Sequence, residues 1–284
     1  MLDDLTVYIP TRGRINDQRT WAYLPDSVRS RTFLVAEETE ADILEAMGYP
    51  VLAHNEDNIG SIRQWILDQH DVEERGPYIL YLDDDLRFFY RQRYNKSKFT
   101  QLEMKSDGVE KMIVEYRRLL DHCSLAGISP RHMANTNPEP YTFNARVYKT
   151  WGGDVRAFRE LNVRADRLSH GEDFDVVLQM LTQGRRLVLL NTFIADDAGT
   201  QSSGGCSTYR TNAVATECSR RLNSFFPSYT RTVSKPLWEG MEGDEHLEIQ
   251  VQWKKAYRDG VALYGEEPEF PLTGEDTWYE EELL

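Results

Sequence analysis

The stretch YILYL, Tyr78 to Leu82, is aromatic and aliphatic throughout and runs straight into Asp83, Asp84 and Asp85. An uninterrupted apolar run of this length belongs to a strand covered on both faces, which calls for helices above and below a mainly parallel sheet. The rest of the chain supplies the parts. LTVYIP (Leu5 to Pro10), RTFLVA (Arg31 to Ala36), Tyr49 to Ala53 and Arg186 to Ala195 read as further strands. Between them come an acidic helix from Glu38 to Met47 stopped by Gly48, and a helix capped by Asn58 with Ile59, Ile62 and Ile66 on one face. A third begins at Asp107 and carries Val109, Met112, Ile113, Tyr116 and Leu119 at helical spacing. A fourth runs from Glu172 to Gln183 and ends at Gly184. Strand alternating with helix predicts an α/β fold, a Rossmann-like mixed, mainly parallel sheet flanked by helices. In such sheets ligand chemistry gathers at the carboxyl ends of the strands.

The candidate motifs fall at those ends. Three adjacent carboxylates repel one another unless a positive charge sits among them. Asp83-Asp84-Asp85 therefore reads either as a solvated strand end or as a site for a hard divalent cation, Mg²⁺ or Mn²⁺. If strand geometry persists, Asp83 and Asp85 share a side and act as the pair. Pro10, Thr11, Arg12 and Arg14 follow the first strand, and guanidinium groups there suit a diphosphate. Glu37 follows the second strand and suits a ribose or base, or is merely first-turn helix charge; Arg63 faces the same alternatives. Glu172, Asp173 and Asp175 open a helix just after His170-Gly171. The helix dipole favours acids there, and a carboxylate so placed can also serve as a general base toward a hydroxyl. His170 reads as a structural histidine. The loop GTQSSGGCSTYR, with Gly204, Gly205 and Arg210, is rich in donors and reads as a phosphate-covering lid or as an ordinary loop.

Composition sharpens the choice of partner. The chain has 284 residues and a formal net charge of −14, which argues against a polyanion. Residues 239–284 hold 14 acids against Lys254, Lys255 and Arg258, a net of −11, which leaves −3 for residues 1–238. The expected organisation is therefore a body at 1–238 and an acidic extension at 239–284. Within the body, Leu86 to Leu102 holds Arg87, Arg91, Arg93, Lys96 and Lys98 with no acid, interleaved with Phe88, Phe89, Tyr90, Tyr94 and Phe99. Cys218 to Trp238 is also acid-free. Such basic, aromatic stretches suit nucleic acid, as phosphate contacts and stacking surfaces. Three widely spaced cysteines offer neither a disulfide framework nor a thiolate metal site. An acidic start and the lack of a long apolar run predict a cytoplasmic protein with no membrane partner.

PTRGR after the first strand, LDDDL, HGEDFD and SGGCSTYR together resemble the GT-A glycosyltransferases, and more narrowly the phage glycosyltransferases associated with TET-type 5-methylcytosine oxygenases. The resemblance covers roughly residues 5–215. It implies a GT-A-like fold and transfer of a sugar from a nucleoside diphosphate sugar, UDP-glucose by frequency, to 5-hydroxymethylcytosine in phage DNA. It implies that Asp85, helped by Asp83, holds Mn²⁺ or Mg²⁺. Pro10, Thr11, Arg12, Arg14, Glu37, Gly60, Arg63, Asp83, Asp84, Gly204, Gly205 and Arg210 would line the donor site. Asp173 would be the base, with Glu172 and Asp175 beside it, and Arg87, Arg91, Arg93, Lys96 and Lys98 would meet DNA. One departure is that Asp196-Asp197 stands where many GT-A enzymes carry a late metal-binding histidine. Rival readings keep the fold but change the acceptor to a protein, glycan or small molecule, make the chain a nucleotidyltransferase, or make it a binding module without catalysis.

Overall fold

The strands of the structure, a computed structural model, are β1 (Leu5–Pro10), β2 (Thr32–Glu37), β3 (Val51–His54), β4 (Tyr78–Leu82), β5 (Arg87–Arg91), β6 (Gln101–Glu103), β7 (Leu125–Ser129), β8 (Tyr141–Phe143), β9 (Thr150–Gly153), β10 (Leu187–Asp196), β11 (Thr230–Ser234) and β12 (Leu247–Val251). It describes residues 2–91, 101–134, 137, 139–197, 209–265, 267–268 and 270–271. The main sheet runs β3-β2-β1-β4-β9-β7-β10-β5-β6, with β8 also paired to β10. The pairings of β1 with β2 and β4, β2 with β3, and β7 with β10 are parallel. β9, β5 and β8 run against their neighbours, so the other strands of the sheet share one direction. The α/β sheet expected from the sequence, mainly parallel and flanked by helices, is the one observed.

Side-chain alternation explains why the strands are apolar throughout. Leu5, Val7 and Ile9 of β1 and Leu80 and Leu82 of β4 enter the core on one face, with Val109, Met112, Ile113 and Tyr116 of the Ser106–Leu119 helix. Tyr8, Ile79 and Tyr81 enter the core on the other face. There they meet Ile62 and Ile66 of the Ile59–Gln69 helix and Val176, Val177 and Met180 of the Glu172–Leu181 helix. A strand with two buried faces favours apolar residues on both, and Thr6, buried in β1, donates its hydroxyl hydrogen to the Arg75 carbonyl at 2.7 Å.

The boundary expected at residue 238 falls between β11 and β12, which pair with each other in a second, two-stranded sheet. Beyond it, Ala256 of the Trp253–Tyr264 helix is fully buried in the same core as the Glu172–Leu181 helix. Gly260 lets that helix sit so close that a Cβ there would lie 2.2 Å from the Leu181 carbonyl oxygen. Among the described residues, the apolar side of that helix decides where this segment packs. Among the described residues no helix is long and apolar enough to cross a membrane.

The basic segment after the Asp trio is corrected by the fold. Arg87 to Arg91 is β5, an inner strand between β10 and β6. Phe88, Phe89 and Tyr90 are buried and offer no stacking surface. Arg91, expected to meet DNA, is 0% exposed; its Nη1 donates to the Asn191 carbonyl at 2.8 Å and its Nη2 to the Asn137 carbonyl at 2.5 Å. Burial pushes its pKa down to about 10. Arg87 is half-buried opposite Asp196 in the β5–β10 register. Arg93, Lys96 and Lys98 lie outside the described residues. Arg91→Met should therefore act on stability: two buried carbonyls lose their donor, at about 1–3 kcal/mol each. A lowered urea midpoint is the expected result.

Candidate active site

The parallel strands β1, β4 and β10 present their carboxyl ends to a cavity of about 790 Å³. Pro10, Thr11, Arg12 and Arg14 enter it after β1, Asp83 to Asp85 after β4, and Asp196 and Asp197 after β10. Facing them is the N-terminus of the Glu172–Leu181 helix, with His170, Gly171, Glu172, Asp173 and Phe174 on the wall. Gly171 is left-handed at φ +74, a conformation glycine adopts without steric cost, and it turns the chain into the helix at the cavity edge.

The trio departs from strand geometry as soon as β4 ends, so alternation does not pair Asp83 with Asp85 as expected. Thr20, unforeseen from sequence, holds the turn. Its Oγ1 donates to the Asp83 carbonyl at 2.6 Å and accepts from the Leu86 N–H at 2.8 Å, while its own N–H donates to the Asp84 carbonyl at 3.1 Å. The carboxylates then divide between two arginines. Arg14 Nη1 lies 2.8 Å from both Asp84 Oδ1 and Asp85 Oδ2. Thr11 Oγ1 adds a 2.8 Å hydrogen bond to Asp84 Oδ2 and itself accepts from Gln18 at 3.1 Å. Asp83 is held more loosely, by Arg63 Nη2 at 3.4 Å.

Arg63 is the hinge of the site. Its other terminal nitrogen pairs closely with Glu172, and its guanidinium lies 5.5 Å from the Tyr81 ring centre and 5.0 Å from that of Trp151. One buried side chain thus ties the trio to the facing helix. Arg63→Met leaves the Glu172 carboxylate buried without its partner, and removing one member of a buried pair costs about 3–5 kcal/mol. Chemical denaturation should show a loss of that size, with Glu172→Gln in the same background recovering part of it.

The other expected residues are distributed as follows. Arg12 spans Glu37 at 2.7 Å and the Asp57 carbonyl at 3.2 Å, so Glu37 serves to orient Arg12 and does not itself line the cavity. Gly60 does not reach the cavity either. A Cβ there would lie 2.3 Å from the Leu168 carbonyl oxygen, so this glycine admits the 165–168 backbone against its helix and contacts no ligand. Arg210 is on the wall, and the neighbouring Tyr209 hydroxyl accepts from the Ile59 N–H at 3.0 Å. Gly204 and Gly205 lie outside the described residues. Asp173 faces the cavity with Arg146 Nε 3.2 Å from its Oδ2. Asp175 is corrected: it is 0% exposed, turned from the cavity and paired with Arg167 at 3.0 Å.

Burial dominates the electrostatics. It raises Asp83 to about 7 against the pull of Arg63, with Asp85 and Asp84 adding to the rise. It raises Asp84 to about 6 against Arg14 and the Thr11 hydroxyl, and raises Glu172 as well. His170, read as structural from sequence, is on the cavity wall, and burial lowers it to about 4, with Arg210 acting in the same direction. Asp175 is raised to about 7 by burial, against Arg167. Its ordinary value is 3.8, so between the two values the folded chain holds a proton that the unfolded chain has released. The contribution of this group to stability is complete below the lower value and lost as pH rises through the upper one. Asp175→Asn should flatten that part of the Tm–pH profile.

Whether the trio suits a divalent cation can be judged from its donors. All are hard oxygens, and burial, with Asp84 and Asp85 nearby, disfavours the charge on Asp83 that a cation would offset. Among the described residues no three His, Cys, Asp or Glu side chains are already gathered as a cation site. Arg14 occupies the place between Asp84 and Asp85 where positive charge is wanted. The donor chemistry suits such an ion, with Asp83 and Asp85 the residues it would draw on, but Arg14 and Arg63 now hold the carboxylates.

Lys149 and Arg131, also unforeseen, line the same cavity. Lys149 Nζ lies 2.8 Å from Asp197, its carbonyl accepts from the Asp83 N–H at 2.9 Å, and its backbone is left-handed at φ 66. Arg131 pairs with Asp196 at 3.4 Å. No local pattern marks these residues, because their roles depend on β9 and β10 being brought beside β4.

The strand ends of a mainly parallel sheet carry clustered acids and arginines opposite a helix-borne Glu-Asp pair, and the class of protein, a glycosyltransferase, is given by its family. The chain belongs to the family of TET-associated glycosyltransferases, whose model matches residues 5–205. Among the curated proteins no match is found. Of solved structures, it is similar to S. aureus TarS 1–349 in complex with UDP, at 12% identity and TM-score 0.46, over 78% of this chain and 64% of that one. It is also similar to GalNAc-T7 with UDP, GalNAc and Mn²⁺, at 10% identity and TM-score 0.45, over 68% of this chain and 43% of that one. The chain thus spans less than two thirds of the length of either.

Proposed function

We propose that this protein transfers a sugar from a nucleoside diphosphate sugar, UDP-glucose being the first candidate, to the hydroxymethyl group of 5-hydroxymethylcytosine in DNA, with a divalent cation at the trio. The observation that carries this reading is the bridge through Arg63, which sets Asp83 and Glu172 within reach of one guanidinium and so faces an acid cluster with a helix-borne Asp173 across one cavity. When bound, the cation would offset the charge that grows on the diphosphate as the sugar–oxygen bond breaks. Arg12, Arg14 and Arg210, all on the wall, suit the same phosphates. Asp173 takes the proton of the acceptor hydroxyl, since a hydroxymethyl group is a poor nucleophile until a base does so. The acceptor assignment is supported by the family, whose name ties it to TET oxygenases that make 5-hydroxymethylcytosine. A base inside a duplex presents its hydroxymethyl group only in the major groove, so the enzyme either enters that groove or turns the base out of its stack. The place of action is the cytoplasm.

The decisive experiment incubates 5-hydroxymethylcytosine DNA with the protein, Mn²⁺ and a panel of nucleotide sugars, followed by nucleoside mass spectrometry. A hexose- or pentose-sized gain on that base, absent from unmodified DNA, is expected. Donor hydrolysis with no gain on any DNA would move the acceptor to another class of molecule.

A further inference from the structure

The cavity continues past Asp173 into a region the family match does not reach. Its far wall comes from the Asn212–Phe225 helix, which contributes Ala215, Cys218 and Leu222, and from the segment that brings in Trp238, His246 and Glu248. All of these follow residue 205, where the match ends. The Trp238 ring centre lies 4.3 Å from that of His246 and 6.4 Å from that of His170. His170 is in turn near enough to Asp173 and to His246 for both to act on it electrostatically. This aromatic wall therefore adjoins the proposed base.

His246 is 3% exposed, and its Nδ1 lies 2.7 Å from the Pro236 carbonyl. A carbonyl only accepts, so Nδ1 carries a hydrogen, and the tautomer with that single hydrogen presents a lone pair at Nε2. That Nε2 is buried and has no hydrogen-bond partner among the described residues. Glu248 Oε1 lies 3.9 Å away on an exposed carboxylate whose Oε2 is 3.5 Å from Lys235 Nζ. A buried acceptor without a donor is costly, and one beside an aromatic face describes the ligand it awaits. It is flat, and it carries an N–H group on its edge.

We infer that Trp238 and His246 form the subsite for the acceptor base: an amino-bearing heteroaromatic ring stacks on Trp238 and donates an exocyclic N–H to His246 Nε2. A base with a keto oxygen at that position is disfavoured, because its lone pairs would face that of Nε2. This deepens the proposed function and rests on it for the acceptor. The same chemistry could come from the base of the donor nucleotide, and the test separates the two.

The test uses the full chain and single-stranded oligonucleotides carrying one 5-hydroxymethylcytosine or one 5-hydroxymethyluracil, with binding read by anisotropy. Trp238→Ala should weaken binding of the first oligonucleotide by about tenfold or more. Trp238→Phe, which keeps a ring, should restore most of it. Wild type should prefer the amino-bearing base, His246→Leu should lose that preference, and His246→Gln, which keeps an acceptor, should retain it. Should Trp238→Ala not fold, the fluorescence change on oligonucleotide binding that is present in wild type and missing from Trp238→Phe reads the same contact. Folded variants with unaltered oligonucleotide affinity and base preference would overturn the inference. So would weakening confined to the nucleotide sugar, which would give the pocket to the donor base. Binding is read without turnover, so absent sugar transfer with these effects intact would sink the proposed function and leave the subsite standing.

Discussion

Replacing Asp85 with alanine is expected to lower kcat for sugar transfer by about a thousandfold or more, since a bound metal supplies several kcal/mol of transition-state charge stabilisation. Asp85 sits just after the carboxyl end of β4 on the cavity wall, where Arg14 lies 2.8 Å away. The same change frees Arg14 to turn wholly to Asp84, so the fold should survive. Three measurements separate loss of the ion from loss of structure: the Mn²⁺ affinity, the Tm and the single-turnover rate. A rate that falls while Mn²⁺ affinity is untouched would remove Asp85 from the metal and leave it a role toward the sugar.

Asp173→Asn is expected to reduce kcat by about 10²–10⁴, the usual worth of a positioned general base, with little change in KM for either substrate. Asparagine keeps the shape of the side chain and can still accept from Arg146 Nε, now 3.2 Å from Asp173 Oδ2. The rate loss should therefore be chemical. The pH dependence is the check: the limb of kcat/KM that reports the base should vanish from the variant. Should Asp173→Asn keep the full rate, Glu172 is not an easy substitute, because its carboxylate is buried and engaged by Arg63.

Local pattern determined a good deal of this molecule. Runs such as YILYL can only be inner strands, so β1, β2, β4 and β10 fall where the apolar stretches lie, and the polar residues just after them fall at the sheet's open end. The cap at Asn58 is likewise local, its side chain accepting from the Ser61 N–H at 3.1 Å. Which way a side chain points, and what meets it, was not local. Arg87 to Arg91 has the composition of a nucleic-acid contact, yet pairing with β10 turns Phe88 to Tyr90 into core and Arg91 onto buried carbonyls. Asp173 and Asp175 are two residues apart on one helix, so one faces the cavity and the other Arg167.

The sequence by itself thus determined the α/β class, the strand ends that carry the acids and the helix that opposes them, because alternation and apolar run length are properties of neighbours along the chain. Only the tertiary structure decided that Arg63 joins Asp83 to Glu172, that Thr20 clamps the turn, and that Trp238 and His246 close the far wall. Those contacts link residues tens of positions apart. Their geometry comes from how helices pack on the two faces of one sheet, which no local pattern encodes.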